Sequence, residues 1–208
     1  MHPAFFPIIG FLAGSIPFGF FIAKSQGIDI RQHGSGNIGA TNVLRVVGKK
    51  FGITCFILDA LKGLLPVILV QQLLGDVPQR DAWIVGTGLA TILGHNYTPW
   101  LGFKGGKGIA TSAGVLIALF PIALLVGLAA WLLFFYTTRY VSLASIVAAL
   151  AIPITEVVRS VMAGEWRIPH LVFSVLIGFL AVWRHRSNIK KLIAGEENRF
   201  VPKSKRGA

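Results

Sequence analysis

The sequence has 208 residues, of which 54% are apolar and only 13% are charged. Soluble domains carry about a quarter charged residues, so this chain lacks the polar side chains that would cover a water-exposed surface. The composition argues against a soluble enzyme, a disordered chain and a nucleic-acid-binding module. It predicts an all-α polytopic membrane protein. The single cysteine, Cys55, cannot form an internal disulfide, and no metal-ligand spacing is present.

The basic residues predict how the chain is oriented in the membrane. Twenty Lys and Arg residues oppose eight Asp and Glu residues, and cytoplasmic loops are usually the basic ones. Residues 3–23 are uncharged and long enough to span the membrane. Because the loop 24–50 that follows is basic, we expect the N-terminus outside and this loop in the cytoplasm. Residues 51–74 and 82–103 form the next two predicted spans.

The segment 109–138 decides the number of spans. It is too long for one straight helix, at about 45 Å, and too short for two full spans, which need about 40 residues. Pro121 lies near its middle, so we predict a hairpin of two short helices. Residues 142–162 and 168–183 add two more spans. The sequence thus predicts seven transmembrane helices, some short, with the basic tail 184–208 in the cytoplasm.

Two predicted cytoplasmic loops are rich in glycine and in basic residues. The first contains GSGNIGATN at 34–42, followed by Arg45, and the second reads GFKGGKGIAT at 102–111. Glycine lets backbone N–H groups approach an anion closely, and Lys or Arg completes a phosphate site. Such loops also serve simply as tight turns. Two basic glycine-rich loops on one face favour phosphate binding, and two loops suggest two phosphate groups.

With these motifs, the sequence resembles the PlsY family, the bacterial membrane acylphosphate:glycerol-3-phosphate acyltransferases. The resemblance rests on three motifs: GSGNIGATNVLR at 34–45, GHNYTPWLGFKGGKGIAT at 94–111, and a third split between VSLASI at 141–146 and the tail from Arg184 to Glu197. The motifs are long and spread over nearly the whole chain, so we treat residues 1–208 as one membrane acyltransferase domain.

The resemblance implies a reaction. A fatty acyl group would move from acyl phosphate to the 1-hydroxyl of glycerol 3-phosphate, giving 1-acylglycerol 3-phosphate and inorganic phosphate. This is the first acylation step of phospholipid synthesis, and no cofactor is expected. The implied partners are the two substrates, membrane lipid and an enzyme that makes the acyl phosphate. The implied location is the bacterial cytoplasmic membrane, with the active site at the cytoplasmic face.

The resemblance also assigns roles to residues. Five are expected to act on glycerol 3-phosphate: Ser35, Arg45, Lys104, His185 and Asn188. The expected contacts to the acyl phosphate and the loops around it are Gly36, Asn37, Gly39, Ala40, Thr41, Asn42, His95, Gly105, Gly106, Lys107 and Gly108. Ser142 and Ser145 either contact substrate or cap the helix that they begin.

Three alternatives stay open at the level of sequence. The general base is His185, His95 or an oxygen of the donor phosphate. Asp59 and Lys62 are spaced to pair within the second span, and intramembrane pairs are common in transporters, so a phosphate or organic-anion carrier is the main rival function. An acyl-CoA-dependent acyltransferase is the second rival.

Overall fold

The fold is known from a computed structural model, which describes residues 2–200. This part of the chain is helical and contains no strand, so the all-α prediction is confirmed. The helices in chain order are α1 (Phe5–Ser15), α2 (Phe18–Lys24), α3 (Ala40–Val46), α4 (Lys49–Leu73), α5 (Arg80–Asn96), α6 (Ile109–Leu119), α7 (Pro121–Thr138), α8 (Val141–Ala163), α9 (Ile168–Arg184) and α10 (Arg186–Ile193).

Several helices are long and apolar enough to cross a membrane. Within residues 2–200, four segments meet this description: α1 with α2, α4, α7 and α8. The pair α9 and α10, bent by 55°, makes five if it counts as one span. Helix α6 is apolar but shorter. The expected total of seven spans, and the expected sides of the two termini, stay predictions.

Prolines explain where the predicted spans break. The segment 109–138 divides at the predicted place, because α6 ends at Leu119 and α7 begins at Pro121, a first-turn position that suits proline. Only α6 is short, since α7 has 18 residues and is long enough to cross a membrane. The first predicted span separates into α1 and α2 around Ile16 and Pro17. Proline lacks the N–H group that would continue the helical hydrogen bonds.

The described chain forms two compact units. The first comprises the residues up to Pro121 together with Ile168–Phe173. In it, α1 packs against α5 and α4 packs against α6. Glycines permit these close approaches: a Cβ at Gly14 would overlap the backbone of Thr91, and one at Gly114 would overlap the carbonyl of Ala60.

The second unit comprises Ile122–Arg167 and the described residues from Ser174 onward. Its last described residues fold back onto the junction of α7 and α8, where the Phe200 N–H donates to the Arg139 carbonyl at 2.9 Å. The predicted basic tail 184–208 includes α10; its residues 201–208 lie outside the described residues. The expectation of a single domain over 1–208 stays a prediction.

Candidate active site

Asn42 organises the first glycine-rich loop. Its side chain is 2% exposed, and its Oδ1 accepts a hydrogen bond from the Ser35 N–H at 2.9 Å. Its Nδ2 donates towards the carbonyls of Ile30, His33 and Asn37 at 3.3, 3.0 and 2.9 Å. One buried amide therefore binds four backbone groups of the loop. The sequence assigned Asn42 to substrate, but its side chain is fully engaged in shaping the loop.

The residues of this loop that are expected to bind phosphate include solvent-exposed ones. Ser35 and Thr41 are exposed, and Gly36 has a φ of +70°, which favours glycine. Within the described residues, no acceptor faces the backbone N–H groups of Ala40 and Thr41. Arg45 follows Thr41 by one helical turn on α3, so both lie on the same side of that helix.

A second asparagine, Asn37, holds a backbone N–H of the turn that leads into α3. The Gly39 N–H donates to Asn37 Oδ1 at 2.9 Å, and the Asn42 N–H donates to the Gly39 carbonyl at 3.0 Å. These bonds fix the direction of the chain as it enters α3. The Asn37 side chain therefore supports the loop, and the expected contact of this residue with substrate stays a prediction.

A hydrophobic cluster ties the two glycine-rich loops to one end of the first unit. Its buried members are Ala23, Ile30, Ile38, Val43 and Cys55. Leu101, which immediately precedes the second loop, packs against this cluster together with Ala40 of the first loop. Ala40 and Leu101 therefore place the two loops in one region of the first unit.

The second loop runs back along the end of α5. The Gly105 N–H donates to the Asn96 carbonyl and the Gly106 N–H donates to the His95 carbonyl, both at 3.1 Å. A Cβ on Gly105 would overlap the His95 carbonyl, and one on Gly106 would overlap His95 Nε2. Glycine at these positions therefore allows the loop to lie directly against His95.

Lys104 and Lys107 project from this tightly held loop. Lys104 is exposed, and Lys107 is half-buried. Gly108 ends the loop with a φ of +80° and directly precedes α6. Neither Arg45 nor Lys104 forms an ion pair within residues 2–200, so both cations remain available for an anionic ligand.

The first loop also contains an ion pair between Asp29 and Arg31. Arg31 donates from Nε and Nη2 to the two carboxylate oxygens of Asp29 at 2.9 and 2.7 Å. The hydrogen bond from the Arg31 side chain lowers the pKa of Asp29 from 3.8 to about 2. Arg31 is therefore neutralised by its neighbour.

The second unit gathers the predicted residues of the split third motif. Glu197 Oε1 accepts hydrogen bonds from Ser142 Oγ at 3.0 Å and from Asn188 Nδ2 at 2.8 Å. His185 is buried, and its Nδ1 lies 2.8 Å from the Ala181 carbonyl. Because a carbonyl only accepts, this contact assigns a proton to Nδ1.

The two serines of α8 do not cap the helix. The helix begins at Val141 after Tyr140, and no side-chain bond caps its first turn. Ser142 instead binds Glu197, and Ser145 Oγ accepts a hydrogen bond from Trp131 Nε1 at 3.2 Å. The capping alternative was wrong, because both serines lie inside the helix and turn towards neighbouring segments.

The predicted site residues thus fall into two sets. The first unit holds Ser35, Gly36, Asn37, Gly39, Ala40, Thr41, Asn42, Arg45, His95, Lys104, Gly105, Gly106, Lys107 and Gly108, and the second holds Ser142, Ser145, His185 and Asn188. Sequence reasoning missed Glu197 as the residue that joins Ser142 to Asn188. Its position at the end of the third motif was the available signal.

Comparison with known proteins agrees with this reading of the motifs. The family model described as glycerol-3-phosphate acyltransferase matches residues 4–195. The chain belongs to the glycerol-3-phosphate acyltransferase family. A curated glycerol-3-phosphate acyltransferase of Aquifex aeolicus is 45% identical over 201 residues, covering 96% of this chain and 100% of that protein. Another, from Geotalea daltonii, is 48% identical and covers 93% and 95% of the two chains.

Two solved structures are similar to this member of the acyltransferase family. Both are crystal structures of PlsY (YgiH), an integral membrane glycerol 3-phosphate acyltransferase. Its glycerol 3-phosphate form has a TM-score of 0.87 and 43% identity, covering 97% of this chain and 96% of that one. Its lysophosphatidic acid form has a TM-score of 0.84 and 42% identity with the same coverage. Family membership therefore rests on sequence and on fold.

Proposed function

We propose that this protein is an integral membrane enzyme that transfers a fatty acyl group from acyl phosphate to the 1-hydroxyl of glycerol 3-phosphate. The products are lysophosphatidic acid and inorganic phosphate. The observation that carries the proposal is the placement of two glycine-rich loops on one hydrophobic cluster of the first unit, each with a cation that has no acidic partner within residues 2–200. A reaction between two phosphorylated substrates needs such a pair.

Glycerol 3-phosphate would be held by charge and by hydrogen bonds. Arg45 and Lys104 supply the two cations, and Ser35 supplies a hydroxyl. A hydrogen bond between a charged group and phosphate contributes about 1.5–3 kcal/mol. The family resemblance also assigns His185 and Asn188 to this substrate. Within the second unit, Glu197 orients the side-chain amide of Asn188 by accepting a hydrogen bond from its Nδ2.

The acyl phosphate would bind to the backbone of the first loop. The Ala40 and Thr41 N–H groups, the Thr41 hydroxyl and Lys107 are the proposed donors. Phosphate is already a good leaving group when it is joined to an acyl carbon, so the protein supplies mainly positioning and charge neutralisation. The buried amide of Asn42 contributes by holding the loop in the binding conformation.

An oxygen of the donor phosphate is the proposed acceptor of the hydroxyl proton. In the bond-making step, the 1-oxygen of glycerol 3-phosphate attacks the acyl carbon, and the bond from that carbon to the phosphate oxygen breaks. The proton then leaves with inorganic phosphate. The rival base is Nε2 of His185. A His185→Gln variant that keeps a large share of kcat supports the phosphate route.

The same proposal covers topology and location. We place seven membrane segments in the bacterial cytoplasmic membrane, with the N-terminus outside and the glycine-rich loops and the tail in the cytoplasm. Basic loops are retained on that side. Acyl phosphates are water-labile mixed anhydrides, so an enzyme that produces them is the expected partner in this membrane.

A donor comparison tests the function. Purified protein in detergent micelles receives glycerol 3-phosphate with either palmitoyl phosphate or palmitoyl-CoA. We expect lysophosphatidic acid and an equal amount of phosphate from the acyl phosphate alone. Product from palmitoyl-CoA would instead support the coenzyme A-dependent rival. Inactivity with both donors, together with phosphate uptake by proteoliposomes, would support the carrier.

A further inference from the structure

A buried ionic network lies in the first unit, apart from the groups proposed to touch substrate. Lys62 Nζ is 2.8 Å from Asp59 Oδ1 and donates to the Ile16 carbonyl at 2.6 Å. It also lies 5.5 Å from the centre of the Phe18 ring. Asp59 is 2% exposed and Lys62 is 6% exposed. The ammonium group is therefore held between α4 and the break that separates α1 from α2.

Stability alone is a weak reason to keep these charges. Replacing a buried ion pair by apolar side chains of similar size is often neutral or stabilising, because burial removes both charges from water. The pair is also closed to solvent, since Asp59 is 2% and Lys62 is 6% exposed, which does not suit a site for a transported ion. Its placement therefore indicates a role in fixing the geometry of a neighbouring group.

That neighbour is His95. Its Nδ1 lies 3.7 Å from Asp59 Oδ1, and its ring is buried. The opposite nitrogen, Nε2, occupies the space where a side chain on Gly106 would lie. The Gly106 N–H also donates to the His95 carbonyl. A continuous set of contacts thus leads from Ile16 through Lys62, Asp59 and His95 to the second glycine-rich loop.

We infer that Asp59 and Lys62 are positioning residues, which hold the His95 ring as the platform of the second loop and so set the placement of Lys104 and Lys107. The inference rests on the proposed function, because it assigns the loop to a phosphorylated substrate. Asp59 touches no substrate in this scheme and acts only through His95. Lys62 holds Asp59 in place from the side of the α1–α2 break.

The double variant Asp59→Asn/Lys62→Met separates positioning from folding. It removes both charges together, so neither is left buried without its partner, and thermal unfolding in detergent should stay near that of the parent protein. Hydrogen exchange of the Gly105 and Gly106 amides should quicken at least tenfold. The KM for glycerol 3-phosphate should rise at least tenfold, with kcat changing less than threefold.

A control pair with the same spacing is available in α8. Glu156 and Arg159 lie three residues apart, with Nη1 to Oε1 at 3.1 Å, and the Arg159 side chain is 44% exposed, so this pair lies partly at the surface. The variant Glu156→Gln/Arg159→Met should leave both loop exchange and KM within twofold of the parent. Unchanged exchange in the α4 double variant, or an equal effect of the α8 variant, would overturn the inference.

The exchange measurement needs no catalysis, so it judges this inference even if the proposed reaction fails. If the parent protein shows no acyl transfer, but the loop amides exchange faster in the double variant than in the parent, the result contradicts only the proposed function. If the double variant does not fold, His95→Asn replaces it, since that change keeps the ion pair and removes the ring. Slower-exchanging or unchanged loop amides in His95→Asn would overturn the inference.

Discussion

Asn188 and Glu197 are joined by a hydrogen bond of 2.8 Å from Asn188 Nδ2 to Glu197 Oε1. The same oxygen accepts from Ser142 Oγ at 3.0 Å. The segment after α10 is therefore a structural part of the second unit, because its carboxylate connects α10 with the start of α8. Glu197 therefore orients Asn188, which is proposed to act on substrate, and Glu197 itself need not contact the substrate.

Replacing this glutamate should impair catalysis more than it impairs folding. In Glu197→Ala, Asn188 and Ser142 both lose a charged acceptor, a loss of about 1.5–3 kcal/mol. We expect kcat/KM for glycerol 3-phosphate to fall roughly tenfold to a hundredfold. Glu196→Ala is the matched control, because Glu196 is exposed and should change the rate less than twofold. Equal rates for the two variants would contradict the assigned role.

Removing the Asn42 amide should disorganise the first loop. Asn42→Ala removes the hydrogen bonds to the Ser35 N–H and to three backbone carbonyls, and each hydrogen bond contributes about 1 kcal/mol. We expect a free energy of unfolding lower by about 2–4 kcal/mol, measured by denaturation in detergent, and acyl transfer reduced at least tenfold. Asn198→Ala, an exposed asparagine, is the control. A stable, fully active Asn42→Ala protein would show that the amide is dispensable.

Helix contacts in the first unit should be sensitive to a single methyl group. A Cβ at Gly14 would overlap the Thr91 backbone, and one at Gly114 would overlap the Ala60 carbonyl. Each Gly→Ala change should lower the free energy of unfolding by about 1–3 kcal/mol. Gly86→Ala provides the control, since nothing lies within 4 Å of its added carbon, and alanine favours helices by about 1 kcal/mol. Destabilisation by Gly86→Ala of similar size would contradict the packing.

The pair formed by Asp29 and Arg31 predicts a titration. Arg31 lowers the pKa of Asp29 to about 2, so the pair contributes to loop stability above the ordinary pKa of 3.8. That contribution is lost as the pH falls towards 2, because the carboxylate then takes up a proton. A carbon-13 NMR titration of Asp29 measures this directly. Arg31→Gln should return the pKa towards its ordinary value, and no change in that variant would exclude Arg31 as the cause.

The sequence predicted those features that depend on local chemistry. Pro121 divides the long apolar segment because its ring ends one helix and suits the first turn of the next. Asp59 and Lys62 pair because a spacing of three residues places them on one helix face. The glycines of the second loop are required because the loop lies directly against His95. The motif indicated a close approach there, but it did not show that His95 is the residue approached.

Other features depend on contacts that spacing does not reveal. Asn42 has the residue type of a ligand contact, and only its burial and its four backbone partners show that it supports the loop. Glu197 meets Ser142, which lies 55 residues earlier in the chain, so no local pattern links them. At the break around Ile16 and Pro17, the Ile16 carbonyl accepts a hydrogen bond from Lys62 of another helix.

The most direct test asks whether the two glycine-rich loops face the same side of the membrane. Single cysteines replace Gln26 in the first loop and Phe103 in the second; Gln26 is exposed and Phe103 is 62% exposed. The native Cys55 is buried and serves as the unreactive background. A membrane-impermeant maleimide should label both positions in inside-out vesicles and neither in right-side-out vesicles. Labelling of the two cysteines from opposite sides would contradict a shared phosphate-binding end.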